Sequence, residues 1–363
     1  MNRLLNLAEV EAAAAPLLEP AVRDYYAGGA RDGITVQENR AAWSNLRLRP
    51  RCLRGIPSSL LATTVLGAPV AMPLVVPPMA FQRLAHPDGE LALVRAAGEA
   101  GLIYTLSTLA TTAMEEVCAA STMPVWFQLY LYRDRGATRA LVDRARAAGC
   151  AALVLTVDAP IMGTREADVR NRFSLPAGLR CENLVAAGFD ALPVDPLGSG
   201  LARYVQSLLE PALSWRDVDW LVAHSGLPVI LKGIMRGDDA RRGLDHGARA
   251  LIVSNHGGRQ LDTAAATADL LPDVIAAVDG AVEVLVDGGL RRGTDLLKAL
   301  ALGARAGLVG RPLLWGLAVG GQAGAAHVLG LLRAELAEAM LLAGCGDPSE
   351  VSADLLATRR PAM

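Results

Sequence analysis

The chain has 363 residues, a formal net charge of −2, 52% hydrophobic residues and only 4% aromatic ones. Near-neutral charge leaves no electrostatic footprint for nucleic acid or an anionic membrane, so neither is an expected partner. The length fits one large α/β unit or two average domains, and an aliphatic core poor in rings suits strands buried on both faces.

In chain order, Asn6 followed by Glu9 reads as a capping box, opening a helix whose Leu7, Val10 and Ala14 share a face. Pro20 reads as the first residue of a second helix that stops at Gly28-Gly29, with Tyr25 and Tyr26 in its last turn. From Gly55 to Gln82 no residue is charged, a run long enough to span a bilayer. Pro57, Pro69, Pro73, Pro77 and Pro78 would break a helix there, so the run reads as turns entering a buried strand.

Eight short β-rich runs follow at 74–79, 103–107, 125–130, 153–158, 229–233, 251–255, 284–289 and 307–311. They alternate with Ala-rich stretches of helical spacing and glycine stops, such as 137–149, 238–247 and 294–303. Eight such units predict an α/β fold, a (β/α)₈ TIM barrel over 66–345. Residues 1–65 are expected to form an N-terminal helical extension packed on the barrel, and 346–363 a C-terminal tail. Most strand starts lie about 20–35 residues apart, as a βα unit requires. The interval from Leu153 to Val229 is over twice that, and its 176–213 part reads as a long, mobile lid loop after strand 4. An open doubly wound sheet is the alternative, disfavoured because no GxGxxG follows the first strand.

The five cysteines, Cys52, Cys118, Cys150, Cys181 and Cys345, are scattered and form no CxxC pair. A disulfide scaffold and a structural zinc site are therefore not expected, nor is any other metal. No charged-then-apolar run opens the chain, so we expect no signal peptide and a cytoplasmic protein.

The catalytic face of such a barrel lies at the C-terminal ends of its strands. Those ends carry Pro78, Met79 and Ala80; Ser107; Gln128 and Tyr130; Thr156 and Asp158, with Arg165 just beyond; and Lys232. Further round come Ser254, Asn255, His256 and Arg259, then Asp287, Gly288, Gly289 and Arg291, then Gly310 and Arg311. One of these alone is an ordinary cap; polar groups at nearly every strand end point to a site. Asp287-Gly288-Gly289 after strand 7 and Gly310-Arg311 after strand 8 stand where barrels commonly bind phosphate, though each alone also reads as a β-turn. Lys232 suits negative charge on a bound ring, a Schiff base, or a neighbouring carboxylate. His256 has the pKa for proton abstraction near neutrality, and Arg259 and Arg165 offer planar forks for a carboxylate. His86, His224, His246 and His327 fall on predicted helices or their connections and read as structural.

With these residues assembled, the chain resembles the FMN-dependent 2-hydroxy acid oxidase and dehydrogenase family, which includes glycolate oxidase, lactate oxidase, mandelate dehydrogenase and hydroxymandelate oxidase-like members. The motifs are Asp24-Tyr-Tyr-Ala-Gly-Gly-Ala, Phe127-Gln-Leu-Tyr130, Leu155-Thr-Val-Asp158, Val253-Ser-Asn-His-Gly-Gly-Arg-Gln-Leu-Asp262 and Val286-Asp-Gly-Gly-Leu-Arg-Arg-Gly-Thr294, and the likeness runs from about residue 7 to residue 345. The resemblance implies FMN as cofactor, its isoalloxazine held by Pro78, Met79, Ala80, Ser107, Gln128 and Thr156. Lys232 would stand near N1 and the C2 oxygen, with Ser254 also in the cofactor site. Asp287, Gly288, Gly289, Arg291, Gly310 and Arg311 would bind the phosphate. Tyr25, Tyr130, Arg165 and Arg259 would grip the substrate, His256 would act as base, and Asp158 would steady it. An (S)-2-hydroxy acid oxidised to the 2-oxo acid and a homotetramer or homo-octamer are implied as well.

The chain departs from that pattern in one informative place. Glycolate oxidases resemble Leu-Ser-Ser-Trp-Ala-Thr after strand 2, where this chain reads Leu106-Ser-Thr-Leu109-Ala-Thr. Leu109 in place of an indole predicts a wider pocket, with Met162 as a second flexible apolar wall. A substrate larger than glycolate, even mandelate-like, is therefore expected. Ala80 resembles the oxidase branch, which uses O2 and releases hydrogen peroxide; the alternative is a dehydrogenase passing electrons to a quinone or protein. A Schiff-base aldolase on Lys232 would leave Arg165, His256 and Arg259 without a shared task, and a redox-neutral FMN isomerase would not need the two arginines.

Overall fold

In the computed structural model, which describes residues 3–193, 195–196 and 198–357, three helices come first: α1 (Leu7–Ala14), α2 (Pro20–Ala27) and α3 (Ile34–Asn45). Asn6 caps α1 by accepting from Glu9 N at 3.0 Å. The Glu9 carboxylate returns to Leu5 N at 2.8 Å and to the Asn6 amide at 2.6 Å. Leu7, Val10 and Ala14 are buried as their spacing predicts. Pro20 opens α2, whose last turn buries Tyr25 and Tyr26. The start of α3 is capped from far along the chain: the Asp262 carboxylate accepts from Asp32 N at 3.0 Å and Thr35 N at 2.9 Å.

A hairpin of β1 (Thr63–Val65) and β2 (Ala68–Val70) comes next. Its Val65 and Val70 pack with Val75, Ile103, Trp126 and Ile230, the inward layer of the barrel, and close the barrel's lower end. The expected boundary at residue 65 therefore cuts through this hairpin, which belongs with the barrel.

The barrel strands are β3 (Leu74–Val75), β4 (Tyr104–Leu106), β5 (Val125–Leu129), β6 (Ala152–Thr156), β7 (Val229–Ile234), β8 (Ala250–Val253), β9 (Glu283–Val286) and β10 (Ala306–Leu308). Their order is β3-β10-β9-β8-β7-β6-β5-β4. A parallel bridge between Val76 and Tyr104 joins the two ends, with Val76 N to Ile103 O and Thr105 N to Val76 O both at 2.9 Å. Around the ring stand α4 (Gly89–Glu99), α5 (Met114–Ala120), α6 (Arg135–Ala147), α9 (Trp215–Ser225), α10 (Gly237–Asp245), α11 (Thr267–Val278), α12 (Gly293–Ala301) and α13 (Arg311–Ala343), while α7 (Glu166–Arg170) and α8 (Gly200–Leu208) lie in the long connection from β6 to β7.

One expectation about the connections needs correction. The 176–213 stretch is not a plain loop: it holds a 3-10 turn (Glu182–Ala187) and α8, which Ser199 caps at Ala202 N. This stretch is fastened down, because Tyr204 meets the Tyr132 hydroxyl at 3.1 Å and Arg133 donates to Leu209 O at 3.1 Å. The last helix, α13, is mostly core. Leu313, Leu317, Val328, Leu332 and Leu336 are buried in α13, and Leu342 remains 69% exposed. The tail packs on the segment after α3 through Arg51–Asp354 at 2.7 Å and Ala357 N to Arg47 O at 2.9 Å. Its residues 358–363 lie outside the described residues. Among the described residues, no helix is long and apolar enough to cross a membrane.

Candidate active site

The strands end on one face, and the loops there surround a cavity lined from nearly every strand end. Every site residue expected from the sequence lines this cavity except Asn255, which bonds to Asn39, and Ser254 and Asp158, which stand directly behind Lys232 and His256.

The turn after β8 carries the histidine. His256, Gly257 and Gly258 have φ of 57, 64 and 76°, three left-handed residues in a row. Such a backbone costs a non-glycine residue about 1–3 kcal/mol, so His256 is held there by its surroundings. Asn255 and Asn39 exchange side-chain hydrogen bonds at 2.9 Å, tying the turn to α3. At Gly258 a Cβ would come within 2.7 Å of Val36 N, so this approach needs glycine.

His256 Nδ1 lies 3.0 Å from Asp158 Oδ1. That leaves Nε2 as the nitrogen available to a ligand. Burial is the strongest influence on His256 and, with Lys232 and Arg165, holds it below its ordinary value despite Asp158. Burial alone would raise Asp158, but His256 and Lys232 hold it low. A neutral imidazole backed by a carboxylate is the protonation state a base requires.

Two guanidinium groups face this pair around Tyr25. Arg259 lies 4.9 Å and Arg165 6.0 Å from the Tyr25 ring centre. Arg259 Nη1 donates to Tyr25 O at 2.6 Å and Gly28 O at 2.9 Å, so α2 positions it. Asp168, 3.7 Å from Arg165, is a distant partner. Burial and then repulsion from Arg259 push Arg165 down to about 10. Tyr25 stacks on Phe173 at 4.2 Å, and burial raises both Tyr25 and Tyr130, which keeps their hydroxyls as donors. Two buried cations repelling one another are relieved by an anion between them.

Lys232 is paired: its Nζ lies 2.9 Å from Asp287 Oδ2 and donates to Ser254 Oγ at 2.8 Å. Burial would lower its pKa, but Asp287 and Asp158 hold it above the ordinary lysine value. This corrects the reading of Asp287 as a phosphate ligand, since its carboxylate faces the lysine and would repel a phosphate. Its other oxygen, Oδ1, is buried with no hydrogen-bond partner.

The rest of that motif forms an anion cradle. Gly288 and Gly289 take φ of 89 and 87°, and a Cβ on Gly289 would sit 2.3 Å from Asn39 O. Arg311 opens α13 and donates only to carbonyls, Tyr26 O at 3.0 Å, Gly28 O at 3.1 Å and Gly257 O at 3.0 Å. Burial, followed by Arg259 and Arg291, drives Arg311 well below its ordinary value. Burial likewise pushes Arg291 down to about 10, and its Nε is buried without a partner. Two under-neutralised arginines beside a helix start suit a phosphate, and Asp287 Oδ1 suits a hydroxyl donor. On the other side, Gln128 Nε2 donates to Thr156 Oγ1 at 3.0 Å, while its Oε1 accepts from Thr108 N at 3.2 Å and Ser107 Oγ at 3.3 Å.

Leu109 and Met162 line the cavity as expected, and the sequence reading missed three companions, Leu201, Val205 and Leu209. Their i, i+4, i+8 spacing was the available signal, hidden by the surrounding glycines and prolines. Gln260 was missed too, although it sits in the His256 motif. It donates to Asp158 O at 3.2 Å and Ile161 O at 2.8 Å, fixing the turn that carries Met162.

Comparison with known proteins agrees with this geometry. The family model for FMN-dependent dehydrogenase matches residues 14–358. An L-lactate oxidase from Nostoc sp. is 53% identical over 97% of this chain and 98% of its own. The human 2-hydroxyacid oxidase 1 is 47% identical over 95% and 94%. A crystal structure of mandelate oxidase with (S)-4-hydroxymandelic acid superposes with a TM-score of 0.92 at 44% identity, over 96% of this chain and 97% of that one. FMN carries both a phosphate and hydroxyl groups, the two things that Arg291 Nε and Asp287 Oδ1 lack. Sequence, fold and the unmet hydrogen-bonding groups thus converge: the chain belongs to the FMN-dependent dehydrogenase family, with FMN as its cofactor and the CH–OH group of 2-hydroxy acids as its target.

Proposed function

We propose that the enzyme oxidises an (S)-2-hydroxy acid bearing an apolar side chain to the 2-oxo acid, with O2 as acceptor and hydrogen peroxide as product. The observation that carries this reading is the His256–Asp158 pair facing Arg165 and Arg259 across one cavity. The two arginines clamp the substrate carboxylate, and charge-assisted hydrogen bonds of this kind contribute about 1.5–3 kcal/mol each. Tyr25 and Tyr130 donate to the substrate oxygens, and His256 removes the proton. Bound FMN supplies the two-electron acceptor. Pro78, Met79, Ala80, Ser107, Gln128, Thr156, Lys232 and Ser254 serve its ring, Gly288, Gly289, Arg291, Gly310 and Arg311 its phosphate, and Asp287 a hydroxyl. Arg311→Met is expected to weaken FMN binding by about 10- to 150-fold, the worth of one such charged contact, read from flavin fluorescence released on dilution.

Leu109, Met162, Leu201, Val205 and Leu209 support the apolar side chain. Each buried CH2 contributes about 0.8 kcal/mol, or roughly fourfold in binding. In an oxygen-uptake panel of both enantiomers, (S)-lactate and larger apolar acids are expected to exceed glycolate in kcat/KM. Leu109→Trp should reverse the order, lowering the value for an aromatic acid at least ~10-fold while sparing glycolate. A wild type that prefers glycolate overturns the pocket reading. Anaerobic bleaching followed by air separates the acceptors: a flavin that stays reduced points to a quinone or protein acceptor. The same reading takes the enzyme as a cytoplasmic homotetramer or homo-octamer, and exposed Leu53, Leu60 and Leu342 are available for contacts between copies. Light scattering on the purified holoenzyme tests it.

A further inference from the structure

Two thiols meet in the helical layer outside the active-site cavity. Cys118 lies in the last turn of α5 and Cys150 between α6 and β6, with their sulfurs 3.6 Å apart. Cys118 is half-buried and Cys150 is buried, and neither lines the cavity. The two thiols share one contact in which either sulfur can donate, and the deeper burial of Cys150 disfavours its thiolate. The nearby acid, Glu115, is tied to Arg144 at 3.0 Å. The more accessible sulfur is thus the better nucleophile, and its buried neighbour is placed to resolve it.

We propose that Cys118 and Cys150 are a reversible dithiol–disulfide pair oxidised by hydrogen peroxide. The Cys118 thiolate attacks one peroxide oxygen, the O–O bond breaks, and the sulfur becomes a sulfenic acid as water leaves. Cys150 then gives up its proton and displaces that hydroxyl as a second water, forming the S–S bond. Two thiols lose two electrons, and one peroxide becomes two waters. The bond is about 2.05 Å long, so the sulfurs must approach by roughly 1.5 Å. Cys118 lies near the end of a seven-residue helix, where such an adjustment is local. The proposed O2-dependent reaction would release the oxidant, yet the site stands on the two sulfurs alone. Added peroxide therefore tests it whatever the enzyme's acceptor is.

The holoenzyme is treated with hydrogen peroxide, quenched with catalase, then unfolded and alkylated without reduction. Free thiols are expected to fall from five per chain to three, peptide mass spectrometry showing a Cys118–Cys150 link that dithiothreitol reverses. Cys118→Ser should abolish the fall and leave Cys150 reduced. Cys150→Ser should expose Cys118 to dimedone and carry it on to the sulfinic acid. Wild-type protein in which Cys118 reaches the sulfinic acid unlinked overturns the proposal. So does one in which only the exposed Cys52 reacts while Cys118 and Cys150 stay free.

Discussion

His256→Ala is expected to slow reduction of bound FMN by substrate about 10²- to 10⁴-fold, the usual worth of a positioned base. The reason is local. Nδ1 is taken by Asp158 at 3.0 Å, so Nε2 is the nitrogen able to accept the substrate proton, and no other imidazole lines the cavity among the described residues. Flavin content should hold, because the phosphate cradle is built from the ends of β9 and β10 and the backbone of the His256 turn, without the imidazole. Stopped-flow bleaching under anaerobic conditions reads the rate directly. Near-normal bleaching in the variant removes His256 from the chemistry.

The pH dependence follows from the same pair. A base works only when neutral, so kcat/KM should rise with pH through the folded-state pKa of His256. Burial lowers that pKa, which places the acidic limb below the ordinary histidine value of 6.5. Asp158 opposes this shift. Asp158→Asn should therefore move the limb still lower while also slowing the reaction, since the imidazolium that forms loses its counter-charge. A limb that moves to higher pH contradicts this coupling.

Much of the barrel was legible because each strand run is a short β-rich burst between Ala-rich helices. All eight runs fall on observed strands, and their polar ends continue into the loops that carry the site. The β1–β2 hairpin was not legible: its turn is Leu66-Gly67 rather than Asn-Gly or Asp-Gly, and Pro69 sits inside a strand. For α8 the difficulty was context, since Gly198 and Gly200 flank its cap and made a helix read as loop. Asp287 was misread for another reason. Taken along the chain it belongs to a glycine motif, and only the β7-β8-β9 neighbourhood brings it to Lys232.

That neighbourhood makes Lys232 the largest expected stability effect. Lys232→Met strips a salt bridge of 2.9 Å from a carboxylate whose side chain is only 12% exposed. Removing one member of a buried pair costs about 3–5 kcal/mol, because the other charge stays behind unpaired. Denaturant unfolding of the FMN-free protein should show that loss. The sign of the pH dependence is set by the raised lysine. Its contribution is complete below the ordinary value of 10.5 and is lost as pH rises through the higher folded-state value. Adding Asp287→Asn removes the stranded charge, so the double variant should recover most of the stability. Flavin reduction should not recover with it, because the cation beside the bound ring is still missing. A purely structural pair would restore both together, so the double-variant cycle separates a lysine that serves the flavin from one that only fills the barrel.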